Sequence, residues 1–509
     1  MFDRIIGAVI PTIGGIVIQN AHRVPDRQAI VFGSRSWTWS ELNCWVGKNA
    51  ATFYERGVRR GDRVALAAES TPDYIAAVFA VLRLGAVAVP LNTRLAVPEI
   101  AHALTDCSPR LVLASRSTTT AIARASDDHP HIDLVDYDSL RDLSTDATPD
   151  EISDIQGNRS DEYDDAFIMY TSGTTGRAKG VVVDHHRAIW AALAQIVSLG
   201  LRDGVRYLHL PPLYHSGGVV FMNAVTLLGG TNILVDKFEP EAVLDAIEKH
   251  EVNALLGVPT MYHFLLQHPK LDDFNLTSWR TGVFGAAPMP AATVESLLRT
   301  FPHVEFFQQC GQTEAGPTGI YSTMAQVQAE PNSSGHLAQP FVESRVVNGD
   351  GIDVAAGEVG ELILRGDPIM KGYWNNPKQT AEVLSAGWLH TGDLVELSTT
   401  GAMRLVDRTK DVIISGGRNI YSAEVEQAIR THAAVADCAV IGVANPEWGE
   451  TVVAVIDSAT ATAPTLSEIR EHCERLIADY KLPRRLVIHD IPRNSAGKIL
   501  KAEVRALLS

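Results

Sequence analysis

The feature that most restricts the fold is a rhythm. Short runs of β-branched and aliphatic residues alternate with apolar-faced helical patterns along most of the chain. Residues 63–67 read as a strand, 73–84 as a helix, 86–90 as a strand, 97–105 as a helix and 111–114 as a strand. Strands separated by helices pair in parallel, so the rhythm predicts layered α/β architecture. It resumes in 207–210, 231–235, 240–250 and 254–258. From about 342 to 405 the pattern changes to short strands punctuated by Gly349, Gly351, Gly357, Gly360, Gly366 and Gly401, which predicts a small antiparallel β region. Beyond 407–411, α and β elements return for about a hundred residues, enough for a compact domain. The fold class expected is α/β: a large N-terminal domain of layered sub-domains plus a small β region at 1–407, then a small mobile α+β lid at 408–509.

The 509 residues are 46% hydrophobic and 20% charged, a globular composition with room for several buried cores. A net charge of −16 opposes polyanions and argues against a nucleic-acid partner. Cys44, Cys107, Cys310, Cys438 and Cys473 are widely spaced and form no CxxC, so no disulfide framework or structural zinc site is expected and the chain reads as cytoplasmic. The apolar stretch at 5–18 is broken by Gly7, Pro11, Gly14 and Gly15; it is expected to be a core segment and not an integral membrane span. The polar stretch 144–165 reads as a loop or a seam between sub-domains.

The most informative segment follows the apolar run 166–169. Gly173 and Gly176 allow successive N–H groups to point into one concavity, Thr171, Ser172, Thr174 and Thr175 add hydroxyls, and Lys179 adds a positive charge. Together these residues suit a polyphosphate. A Walker A loop is excluded, because Lys179 precedes Gly180 and a strand-like Val181-Val-Val183 and does not open a helix.

Here the chain resembles the ATP-dependent adenylate-forming enzymes, which include acyl-CoA synthetases, firefly luciferase and nonribosomal peptide adenylation domains. The resemblance runs from Trp37-Thr-Trp-Ser-Glu-Leu42 to Gly497-Lys-Ile-Leu-Lys501, with several motifs in the family's order. In Gly311-Gln-Thr-Glu314 it implies that Gly311 and Thr313 lie at the nucleotide, with Thr313 on phosphate, and that Glu314 helps hold Mg2+ on ATP; a hard cation takes oxygen ligands. Asp393, in Gly387-Trp-Leu-His-Thr-Gly-Asp393, is implied to accept both ribose hydroxyls, and Arg408 to contact ATP just before a hinge at Lys410. Gly416 and Gly417 resemble the turn that lines the thiol channel. Lys498, in Pro492-Arg-Asn-Ser-Ala-Gly-Lys498, resembles the adenylation lysine, which bridges the attacking carboxylate and the α-phosphate.

The resemblance also places an acyl pocket at segments matching 212–218, 258–261 and 282–287. Its implied residues are His215, which gates the pocket near the α-phosphate, with Gly217, Gly218, Val258, Gly282, Gly285, Ala286 and Ala287. No Asp or Arg in these segments complements a substrate amine or second carboxylate, which favours a fatty, alicyclic or aromatic monocarboxylic acid. Two departures stand out: Cys310 occupies a position where many relatives stack an aromatic ring on adenine, and Ser422 and Arg418 replace the commoner Pro and the frequent Glu or Phe of the turn motif.

The expected activity is that of an acyl-CoA synthetase using ATP, Mg2+ and CoA: a carboxylic acid becomes acyl-AMP with release of pyrophosphate, and the lid then rotates about Lys410 so that the CoA thiol displaces AMP. The rivals are a free-standing enzyme that loads a carrier protein and a non-catalytic nucleotide-binding scaffold. A carrier loader usually precedes a fused carrier domain, which is not expected after Ser509; a free-standing loader of a separate carrier protein stays the runner-up to transfer onto CoA. Assembly into a homo-oligomer is left open.

Overall fold

The computed structural model describes residues 12–129, 131–137, 160–171, 177–285, 287, 289–493 and 499–508. They form two compact units. The first draws on Met1–Thr171, Ala178–Ser344 and Leu364–Leu389, the second on Arg345–Ile363 and His390–Ser509.

The first unit holds two mainly parallel sheets. One has the strand order Gly372–Tyr373, Lys179–Asp184, Asp165–Thr171, Val87–Pro90, Arg63–Ala67, Leu111–Ala114, Asp133–Asp136, with only its first two joins antiparallel. The other runs Leu337–Ala338, Gly319–Ser322, Glu305–Gly311, Thr281–Gly285, Ala254–Gly257, Arg206–His209, Thr231–Leu234, Gln28–Phe32, Arg35–Thr38; its six inner strands are parallel and its edges antiparallel.

The helix Pro72–Arg83 touches strands of both sheets, and every residue from Tyr74 to Leu82 is buried. A helix that is apolar all round is a core helix, which is why this one lacks a polar face. Thr71 starts it by accepting the Tyr74 N–H, with Pro72 in the first turn, where its missing N–H costs nothing. The more amphipathic helix Val97–Cys107 packs Ile100 and Leu104 with Val89, Val112 and Ile168. Pro240–Lys249, Pro259–Leu266 and Ala291–Thr300 pack around Trp279, Phe284 and Phe306 of the second sheet's core.

In the second unit the strand Gly449–Ser458 pairs with Val435–Asn445 and Ile413–Ser415 antiparallel and with Arg485–Ile488 parallel; Arg418–Ile420 completes the sheet. The helices Ser422–Arg430 and Leu466–Cys473 bury one apolar set against it, while Val504 of the helix Lys501–Ala506 joins the alternate set with Ile441 and Val453. Ahead of these elements lies a five-stranded sheet of Val342–Val347, Val359–Gly366, Trp388–Leu397, Leu384–Ser385 and Met403–Arg408, the β region that the glycine punctuation predicts.

The strands and helices expected between 63 and 114 are present, with bounds within two residues of the sequence reading. Ile13–Arg23 is a helix that buries Ile13, Ile16 and Val17, as a core segment should; residues 1–11 and most of the polar stretch, 144–159, lie outside the described residues. Among the described residues no helix is long and apolar enough to cross a membrane. All five cysteines are free.

Candidate active site

The hydroxyl-rich loop leaves the strand Asp165–Thr171 and returns as Lys179–Asp184, and the antiparallel register sets Thr171 opposite Lys179. The polyphosphate candidates Ser172, Gly173, Thr174, Thr175 and Gly176 lie outside the described residues. The Lys179 ammonium sits 4.8 Å from the centroid of the Tyr373 ring, a cation–π contact.

Tyr373 leads on to the next candidate. Its hydroxyl donates to Glu314 Oε1 at 3.0 Å. Glu314 lies in the 3-10 turn Thr313–Ala315, which ends at Gly316 with φ of +69°, where a Cβ would come within 2.4 Å of the Pro368 carbonyl oxygen. Only glycine meets both demands. Thr313 Oγ1 lies 3.0 Å from Ser216 Oγ, beside His215, which caps the helix Ser216–Leu227. Burial, reinforced by the positive charge of Arg94, holds the His215 imidazole below its ordinary pKa, so it is neutral at pH 7. Thus His215, Thr313, Glu314 and Lys179 are linked through Ser216 and Tyr373, neither of which the sequence reading singled out.

The small residues of the candidate acyl pocket divide by environment. Gly217 is half-buried with open space where a Cβ would project. Gly218, Gly285 and Gly311 instead meet backbone oxygens at 2.4 Å, those of Pro212, Gln309 and Thr318, and Gly282 meets the Phe306 ring at 2.6 Å. Their smallness answers to close packing of chain against chain. Val258 precedes the helix Pro259–Leu266, Ala287 is exposed, and Ala286 lies outside the described residues. Cys310 is half-buried and pairs with Ile320 in the strand register.

In the second unit, Asp393 and Arg408 face each other across antiparallel strands, with Arg408 Nε 2.9 Å from Asp393 Oδ1. Asp393 is buried, which makes this a guided pair rather than a solvated one. Lys410 is exposed in the 3-10 turn Thr409–Asp411. Gly416 and Gly417 have φ of +57° and +73° and turn the chain between Ile413–Ser415 and Arg418–Ile420. The Gly416 N–H donates to the Trp448 carbonyl, and Arg484 lies over the Trp448 ring at 4.3 Å, so an aromatic wall adjoins the turn. Lys498 lies outside the described residues.

Among the described residues no three His, Cys, Asp or Glu side chains gather to enclose a metal. A single carboxylate such as Glu314 suits Mg2+, which keeps water and substrate phosphate oxygens for most of its ligands.

Residues 17–374 match the family described as AMP-binding enzyme, and residues 424–498 match the AMP-binding enzyme C-terminal domain. Feruloyl-CoA synthase of Amycolatopsis sp is 37% identical over 495 residues, covering 97% of this chain and 98% of the relative. Long-chain-fatty-acid–CoA ligase FadD13 of Mycobacterium tuberculosis is 33% identical over 500 residues, covering 97% and 98%. The solved structure of o-succinylbenzoate CoA synthetase from Bacillus subtilis, in complex with its acyl-adenylate intermediate, is similar with a TM-score of 0.86 at 28% identity, covering 96% of this chain and 97% of that one. The chain belongs to the AMP-binding enzyme family, whose members form adenylates with ATP. Within it, the chain is an AMP-forming acid–thiol ligase of the acyl-CoA synthetase kind.

Proposed function

We propose that this ligase activates an aryl-substituted monocarboxylic acid in the cytoplasm and hands the acyl group to CoA. The observation that carries the phosphate end of this reading is the meeting of Lys179, Tyr373, Glu314, Thr313 and Ser216, drawn from distant parts of the sequence. For the acid end, the support is the open side of Gly217 beside His215, the lack of a charged complement in 212–218, and the feruloyl-CoA synthase likeness.

In the first half-reaction a carboxylate oxygen attacks the α-phosphorus and the bond to pyrophosphate breaks. Thr313 would donate to phosphate, Lys498 would offset the repulsion between carboxylate and α-phosphate, and Asp393 with Arg408 would hold the nucleotide. Mg2+, held at Glu314, would neutralise phosphate charge. Neutral His215 can orient a polar group without adding a cation to the acyl pocket. In the second half-reaction the CoA thiolate attacks the acyl carbon and AMP leaves, with the thiol arm passing Gly416 and Gly417. The lid, 408–509, would turn about Lys410 between the two steps.

Pyrophosphate release measured with arylpropenoic, arylacetic and straight-chain acids tests the substrate class; faster turnover of the straight-chain set overturns the aryl preference. Lys498→Ala should slow acid-dependent pyrophosphate release about 10²-fold or more, yet leave thioester formation from supplied acyl-AMP largely intact.

A further inference from the structure

We infer that Tyr373 is a positioning residue for adenylation, holding Glu314 in its metal-binding pose and coupling that pose to the strand that carries Lys179. This rests on the reading of Glu314 as the Mg2+ carboxylate.

The geometry is specific. The phenol donates to Glu314 Oε1 at 3.0 Å while the opposite partner of the same side chain, the Lys179 ammonium, lies 4.8 Å from the ring centroid. One ring therefore touches two groups assigned to the triphosphate. A carboxylate that can swing samples several orientations; a donor on one oxygen removes most of that freedom and leaves Oε2 and one lone pair of Oε1 for a cation.

The backbone of the same segment fixes where the ring stands. Gly372–Tyr373 pairs with the strand Lys179–Asp184, setting Tyr373 opposite Val181, and the Trp374 N–H donates to Gly180 O at 2.7 Å. On the other side the Met370 N–H donates to Glu314 O at 2.9 Å, and Arg187 Nε holds the Ile369 carbonyl at 2.8 Å. The segment 369–374 is thus tied to the returning strand of the hydroxyl-rich loop and to the Glu314 turn at once. A Tyr held this firmly transmits the placement of one to the other with little slack.

The test compares wild type, Tyr373→Phe, Tyr373→Leu and Glu314→Gln. Two quantities are read: the free Mg2+ that half-saturates acid-dependent pyrophosphate release, and Mn2+ binding followed by electron paramagnetic resonance in the presence of a non-cleavable ATP analogue. Phe keeps the ring and loses only the donor, so it should raise both half-saturation values about tenfold, the order expected for one lost hydrogen bond to a charged acceptor. Leu should do the same and also weaken the analogue without metal, because the Lys179 contact goes too. Glu314→Gln should weaken Mn2+ binding at least as much as Phe. If Phe binds Mn2+ like wild type while Glu314→Gln does not, the positioning role is overturned and the Mg2+ assignment stands. If Phe only lowers turnover with unchanged metal dependence, the role is structural and the inference fails. If Glu314→Gln binds Mn2+ normally, the assignment beneath the inference fails instead.

Discussion

Asp407 Oδ2 accepts two hydrogen bonds from Ser422, one from its backbone N–H at 2.5 Å and one from its hydroxyl at 2.7 Å. Lys501 extends the chain by donating to Ser422 Oγ and pairing with Glu426 at 2.8 Å. Ser422 is the first residue of the helix Ser422–Arg430, so the buried Asp407 carboxylate satisfies donors that a helix start leaves unpaired. Proline, the commoner residue there, fits a first turn but supplies neither donor. Ser422→Pro should destabilise this helix by about 1–3 kcal/mol, the cost of under-satisfying a buried charged acceptor, and Ser422→Ala by less. Hydrogen–deuterium exchange across 422–430 should quicken in that order; unchanged exchange in the proline variant would contradict it.

The proposed ribose role of Asp393 can be tested through its pair with Arg408. Asp393→Asn removes the charge that Arg408 uses and that the proposed ribose contact would use, and a hydrogen bond to a charged group contributes about 1.5–3 kcal/mol. The KM for ATP should rise about tenfold or more, and the preference for ATP over 3′-deoxy-ATP should shrink. A variant that still discriminates like wild type would take Asp393 off the ribose.

Lys410 sits in the 3-10 turn Thr409–Asp411, and proline fixes φ near −65°. Lys410→Pro should block a hinge rotation, so acyl-AMP and thioester formation should separate, one persisting while the other falls. Equal slowing of both half-reactions would mean damage to the fold instead of a locked hinge.

How much of this was legible in the chain follows from the range of each interaction. The strands at 63–67 and 111–114 are local events, each a run of aliphatic residues, and were readable to the residue. Gly311-Gln-Thr-Glu314 stood out through its motif, but the 3-10 turn it enters was not read from the sequence. The two-residue strand Gly372–Tyr373 is too short to carry any periodicity, and its partner lies nearly two hundred residues earlier. The Ser216 and Thr313 contact is likewise tertiary, and nothing near either residue announces it. The helix Trp39–Glu55 did leave a local sign: Thr38 and Glu41 form a capping box in the segment read only for its family likeness.

If Cys310 stands at the adenine-facing position that the resemblance assigns it, it offers a small polarizable surface in place of a ring, and the stacking forgone is worth about 0.5–1.5 kcal/mol. Cys310→Tyr should lower the KM for ATP a few-fold if the space beside the half-buried thiol is open. Overpacking costs about 1–3 kcal/mol and would show as lost activity. An unchanged KM would place residue 310 away from adenine.

His185 and His209 set an acid limit on stability. Burial lowers each imidazole to a pKa of about 4, with the hydrogen bond of His209 to Asn232 opposing the fall. Unfolded, each titrates near 6.5. Between these values the unfolded chain binds more protons, so stability is full above pH 6.5 and is lost as pH falls toward 4. Two such groups give a slope of at most about 3 kcal/mol per pH unit. Urea midpoints measured from pH 7.5 to 5 should fall, and His209→Gln should flatten the curve; a level profile in wild type would contradict the buried neutral state.

The sheet order has a consequence for synthesis on the ribosome. The strand Lys179–Asp184 gains its outer neighbour only when Gly372–Tyr373 emerges, and Gln28–Phe32 must wait for Thr231–Leu234. At about 5–20 residues per second, the interval between Asp184 and Gly372 lasts roughly 10–40 s. Throughout it the nascent chain presents an unpaired strand edge, and such edges recruit other strands. A ribosome stalled before residue 372 would therefore display a half-built sheet with that edge open to other strands.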